Sequence, residues 1–289
     1  MQFNHILVTP FDQAILSKLK GYRVVVKIED DEQLHPFLDH LANNEINLHA
    51  VWVNTNKKLS EINLSDLLGS MPIALYVSEV GDLTEVIRKL PLLHQLNIKI
   101  FLDGSQSNNY EMLQVLSSLN VFCGLFFNKQ EVYWEEFNDL IYYFLYSTAR
   151  HAPIEPIHYI AENYSPDKKI DFNSIYFNDT NKFLHIDADE NIALKSQYLV
   201  ENNFITKGFD KLHEISTMDE YQAELNRWQD FFINNAHCSV CEAWRICLGK
   251  FSYDMSEECS KTFIEILDGV EKTKRNSEMN RMKKNIWQY

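Results

Sequence analysis

The chain has 289 residues, of which 45% are hydrophobic, 24% charged and 13% aromatic. That composition excludes disorder for the bulk and fits about two domains, or one large domain with a smaller module. No run of about 18 apolar residues occurs, and the opening MQFNHILVTPFDQ has no basic stretch leading into an apolar one, so neither a membrane span nor a signal peptide is predicted and a cytoplasmic protein is expected. The formal net charge is -14, and Lys272 to Lys284 gathers six Lys/Arg against one Glu, leaving the rest of the chain near -19. An anionic body excludes nucleic acid as the main partner.

Along the first 150 residues, a short β-branched or apolar run is followed by a helical pattern six times. The predicted strands are Phe3 to Val8, Tyr22 to Ile28, Leu48 to Val53, Ile73 to Val77, Ile98 to Leu102 and Val121 to Phe126. Between them lie helical stripes such as Leu34, Phe37, Leu38 and Leu41, or Met112, Val115, Leu116 and Leu119. Strands this apolar are buried on both faces, which predicts a parallel sheet with helices packed outside. Six consecutive βα units predict an α/β fold built as an open or partial barrel, with a doubly wound sheet as the alternative. Tyr133 to Tyr146 reads as the sixth helix, and Pro153 with Pro156 marks a boundary between a domain at 1-150 and a second part at 151-289. There Ser174 to Phe177 reads as a strand, and Phe183 to Ile186 with Ile192 to Leu194 as strands flanking the acidic turn Asp187 to Asn191. A helix over Thr217 to Phe232 leads to the cysteines.

Four of the five cysteines, Cys238, Cys241, Cys247 and Cys259, fall in the spacing C-x2-C-x5-C-x11-C. In a reducing compartment such crowding points to thiolate ligation of a metal rather than to disulfides, and four thiolates satisfy either zinc or one iron-sulfur cube. Cys123, on the sixth strand beside Phe122 and Leu125, reads as a small buried hydrophobe.

The run Cys238-x2-Cys241-x5-Cys247 with a later cysteine resembles the SPASM domain of radical SAM peptide- and protein-modifying enzymes. That family's C-x2-C-x5-C-x3-C motif serves two auxiliary [4Fe-4S] clusters, the first three cysteines and a later one holding the second cluster. The resemblance implies that Cys238, Cys241, Cys247 and Cys259 hold one such cluster, with zinc as the alternative. The x3 position, which serves the first cluster, is Phe251 here, and the upstream hairpin DADENIALKS has no cysteine. Radical SAM chemistry needs C-x3-C-x2-C after the first barrel strand. This chain reads Thr9-Pro10-Phe11-Asp12-Gln13 there and has no cysteine before Cys123, so S-adenosylmethionine is not an expected cofactor. The whole chain is similar to a pseudo-radical-SAM/SPASM protein of bacterial peptide maturation, specifically so from Asp187 to Cys259 and in architecture before Arg150. The function implied is that of an accessory, non-radical protein binding a precursor peptide or a partner maturase. An enzyme with its own redox or peptide-modifying activity at the barrel mouth, and a zinc-stabilised binding scaffold, are the alternatives.

Other candidates are weaker. Glu29-Asp30-Asp31-Glu32, Glu79 and Asp103, the last in Asp103-Gly104-Ser105, follow strand ends where barrels place chemistry, but helix N-termini also attract acids. No phosphate-loop, dinucleotide, nucleophile-elbow or H-E-x-x-H motif occurs. His237 reads as solvent-facing or as a donor to a cluster, Trp244 and Ile246 as shields of the metal, and Ser256 as the cap of a helix starting near Glu257. The stripe Phe263, Ile266, Leu267 and Val270, with the basic tail and Trp287, suits a docking helix or packing on its own domain.

Overall fold

A computed structural model describes residues 4–65, 71–127, 131–165, 167–251 and 257–286, the side chains of Asp31 and of 276–286 excepted. Its centre is one sheet of ten strands. The parallel strands are β1 (Ile6–Pro10), β2 (Val24–Ile28), β3 (Leu48–Asn54), β4 (Ile73–Val77), β5 (Ile98–Asp103), β6 (Cys123–Phe126) and β7 (Ile154–Glu155), each paired to the one before it. On the far side of β1 lies β8 (Phe183–Ile186), also parallel, followed by the antiparallel β9 (Asn191–Ala193) and β10 (Thr206–Lys207). The molecule is therefore α/β with a mostly parallel sheet. Residues on both sides of Arg150 belong to it, since β7 follows Arg150 and pairs with β6.

The helices are α1 (Gln13–Lys18), α2 (Leu34–Asn43), α3 (Leu83–Leu93), α4 (Asn108–Ser118), α5 (Trp134–Tyr146), α6 (Ile157–Asn163), α7 (Ser196–Val200), α8 (Asp219–Asn234), α9 (Ala236–Ser239), α10 (Trp244–Cys247) and α11 (Glu258–Ile286). Aspartates start two of them: Asp12 Oδ1 accepts from Ile15 N at 3.0 Å, and Asp82 Oδ1 from Thr84 N at 2.8 Å. Between β3 and β4 the described residues contain only a 3-10 turn, Leu59–Glu61, so among the described residues Trp134–Tyr146 is the fifth α-helix.

Strand pleating sends alternate side chains to opposite faces. One face packs under helices, as Cys123 does with its thiol 3.6 Å from the Leu113 carbonyl of α4. The other carries the cross-strand row Asn54, Tyr76, Phe101, Gly124 and Glu155, and the residues around 172–177 cover it. Tyr76 stacks on Phe101 at 4.7 Å, Phe101 meets Tyr176 at 5.9 Å, and Trp52 meets Phe177 at 5.9 Å. The Tyr176 hydroxyl donates to the Leu125 carbonyl at 2.7 Å. Buried Glu155 accepts from Lys99 at 3.2 Å and from the Tyr159 amide at 2.9 Å.

The covering segment corrects one expectation. Ser174 to Phe177 is not a strand but the end of a 3-10 turn, Phe172–Tyr176, closed by Phe177 in the left-handed region at φ 54. Asp171 caps it by accepting from the Asn173 amide at 2.9 Å, and this local capping overrides the β preference of Ile175, Tyr176 and Phe177.

Candidate functional site

Delivery of the cysteines begins with α8. Two short helices follow: α9 carries Cys238, α10 ends on Cys247, and Cys241 lies between them. The chain then reverses through two left-handed residues, Leu248 at φ 48 and Gly249 at φ 77. Glycine fits the second because any Cβ there would collide with the Phe231 ring. Cys259 stands in the first turn of α11, as expected; Ser256 and Trp287 lie outside the described residues.

Cys238, Cys241, Cys247 and Cys259 line one cavity of about 20 Å³, walled by Ala243, Trp244, Phe251 and Ser260. The Cys241 thiol lies 3.4 Å from Ser260 Oγ. Burial pushes the Cys247 thiol up to about 12, with the other three sulfurs adding to the shift, and burial followed by Cys241 raises that of Cys238. Four thiols thus share an apolar enclosure in which thiolates would need a cation to offset their charge. This donor set fits a thiophilic centre in its chemistry. Among the described residues, however, no three His, Cys, Asp or Glu side chains meet closely enough to hold a single metal ion.

The neighbours divide. Trp244 walls the cavity and stacks on Phe231 at 5.3 Å, whereas Ile246 is buried in the core outside its lining. His237 is exposed at the rim. Phe251 is 1% exposed, with rings of Phe127, Trp134, Phe172 and Phe263 at 5.1 to 6.5 Å. Phe251 is therefore part of an aromatic cluster. The stripe Phe263, Ile266, Leu267 and Val270 is buried within the chain's own core.

The strand-end acids take local partners. Glu29 pairs with Lys27 and Glu79 with Lys58, both at 2.6 Å, while Asp30 accepts from the Glu32 amide at 3.0 Å. Asp103 Oδ1 accepts from the Ser105 amide at 2.9 Å, and Asn109 donates to the carbonyls of Ser78 and Asp103 at 2.8 and 2.9 Å. Cys123 is fully buried under α4 and far in sequence from the other thiols, as a packing residue.

A second feature escaped sequence reasoning. A cleft of about 740 Å³ lies against the cysteine cavity, and Cys247 and Gly249 line both. Its walls come from residues as distant as Lys169 and Lys250, with no shared motif to signal them. Lys250 Nζ donates to Asn173 Oδ1 at 2.9 Å and lies over the rings of Tyr176 and Phe172 at 4.7 and 5.5 Å. Burial lowers its pKa to about 8 against the opposing pull of Asp171, whose own carboxyl is raised by burial and by Asp179.

No protein-family model, curated protein or solved structure matches this chain. Among the described residues no helix is long and apolar enough to cross a membrane.

Proposed function

We propose that the chain is an accessory, non-radical iron-sulfur protein of ribosomal peptide (RiPP) maturation, which binds a precursor peptide, a partner maturase, or both. In this reading strands β1 to β6 form a degenerate partial barrel and the C-terminal part a SPASM-like module. Cys238, Cys241, Cys247 and Cys259 hold one [4Fe-4S] cluster. The observation that carries the reading is that these four thiols, and no other cysteine, line one apolar cavity. Two further features agree with it. Strand order runs β1 to β7 without reversal, as a barrel requires and a doubly wound sheet does not. And Phe251, in place of a first-cluster ligand, is locked into an aromatic core.

A cluster held by four thiolates has no open iron position, so it would supply structural support or electron transfer rather than Lewis-acid catalysis. The protein's part is to exclude water from the sulfurs with Trp244 and Phe251. Anaerobic purification with metal and sulfide analysis tests this. About four iron and four sulfide per chain, with broad absorption at about 400 nm that bleaches on reduction, is the expected result. One zinc and no colour would replace the cluster by a structural zinc and remove the redox role. Cys241→Ala is expected to lose iron and to destabilise the C-terminal part; a fully loaded, equally stable variant refutes the ligand assignment.

A further inference from the structure

The cleft beside the cysteine cavity has the volume of a ligand site, about 740 Å³ within the usual range of roughly 300 to 1,000 Å³. Three of its four carboxylates are already engaged, and the fourth, Asp230, is exposed. Glu224 accepts from Lys195 at 2.5 Å, from the Tyr198 hydroxyl at 2.8 Å and from Arg227 at 3.4 Å. Asp179 accepts from Ser174 Oγ at 2.7 Å and the Asn181 amide at 3.0 Å, and Asp171 from both nitrogens of Asn173.

Two of its cations are not so engaged. Among the described residues neither Lys250 nor Lys169 has a carboxylate within salt-bridge distance. Lys250 meets one amide oxygen and two ring faces, and Lys169 lies 4.2 Å over the Trp228 ring. An ammonium has three donors, so both retain capacity for an incoming anion. Gln197 and Asn234, on the walls, bring amides that can pair with a peptide main chain as donor and acceptor together. Trp228 adds a flat, half-buried surface.

We infer that this cleft binds an extended peptide segment bearing a carboxylate, with the carboxylate on Lys250 and Lys169 and the main chain along Gln197 and Asn234. The inference deepens the reading of a precursor-binding accessory protein and rests on it for the class of ligand. Because Cys247 and Gly249 form a common wall, the bound segment lies directly against the cysteine cavity.

The test uses the full chain, purified anaerobically, with iron content measured in every sample. Fluorescein-labelled acetyl hexapeptides of Gly and Ser, with a single central Glu, Gln or Lys, are titrated by anisotropy, and the Trp emission is followed with their unlabelled counterparts. The Glu peptide is expected to bind at least about tenfold more tightly than the Gln peptide, the worth of one charge-assisted contact, and the Lys peptide most weakly. Lys250→Met and the exposed Lys169→Gln should each reduce that preference, with circular dichroism unchanged for the latter. Equal binding of the three peptides, binding of none, retention of the preference in Lys169→Gln, or displacement by free glutamate at equal concentration would overturn the inference. Glu preference in a protein without iron sustains the cleft and removes the cluster; iron without Glu preference does the reverse.

Discussion

Truncating Phe251 to alanine probes the reasoning most directly, because this side chain belongs both to the core and to the wall of the cysteine cavity. At 1% exposure it is fully desolvated, and rings of Phe127, Trp134, Phe172 and Phe263 surround it at 5.1, 5.4, 6.5 and 5.5 Å. Losing a buried phenyl group costs about 3–5 kcal/mol when the void cannot collapse. Here the neighbours are stiff rings from separate segments, and lost ring pairs add about 0.5–1.5 kcal/mol each at most. The expected loss is therefore at the upper end, about 4–5 kcal/mol. Reversible urea unfolding followed by Trp fluorescence and by far-ultraviolet circular dichroism measures it, with Phe251→Leu as a milder control. The same variant should make the thiols react faster with a disulfide reagent, since one wall of their cavity is gone. A loss below about 1.5 kcal/mol would mean that the aromatic cluster relaxes around the gap, contrary to close packing.

Three further outcomes are expected. His185 is buried, and its pKa is pushed down to about 3, first by burial and then by Lys27, so the unfolded chain takes up a proton near pH 6.5 that the folded chain refuses. Stability should accordingly fall as pH drops from 6.5 towards 3, by about 2 kcal/mol at pH 5 for this group, and a stable His185→Gln variant should lack that part of the slope in urea titrations. Asn109→Ala removes the two bonds that tie the loops after β4 and β5, leaves the Ser78 and Asp103 carbonyls one partner short, and should cost about 2 kcal/mol in the same assay. Gly249→Ala should cost about 1–2 kcal/mol for its left-handed backbone alone and should push Phe231 off Trp244, visible as a changed Trp emission.

What could be read from sequence follows from how local each signal is. Ile73–Val77 announces itself because five apolar residues in a row, flanked by polar loops, have no use except a strand buried on both faces. By contrast β7 is two residues long between Pro153 and Pro156, and only its pairing with Cys123 and Gly124 makes it a strand. The Ser174 to Phe177 segment misleads because its side chains favour strands while Asp171 sets the backbone. The cysteine spacing is legible since ligands close in sequence can approach one centre. That Phe251 completes an aromatic core depends on Phe127, Trp134 and Phe172, each more than 70 positions away. The cleft around Lys250 has no local signature, being assembled from amides and charges that in sequence look like ordinary surface.

The helix α11 places the fourth cysteine on a rigid lever. Cys259 lies in its first turn; ten residues on, about 15 Å along the axis, Gly269 sits against the Leu145 side chain of α5, which would have to shift to admit a Cβ. Lys274 then donates to the Tyr164 carbonyl at 3.0 Å. These two contacts tie the helix to α5 and to the residue after α6. A guest that shifts the backbone at Cys259 is expected to turn or slide the helix against α5, whose Tyr142 and Tyr146 rings lie 5.8 Å apart on the molecular surface. Those two exposed rings are where a spectroscopist would look for a movement of α11.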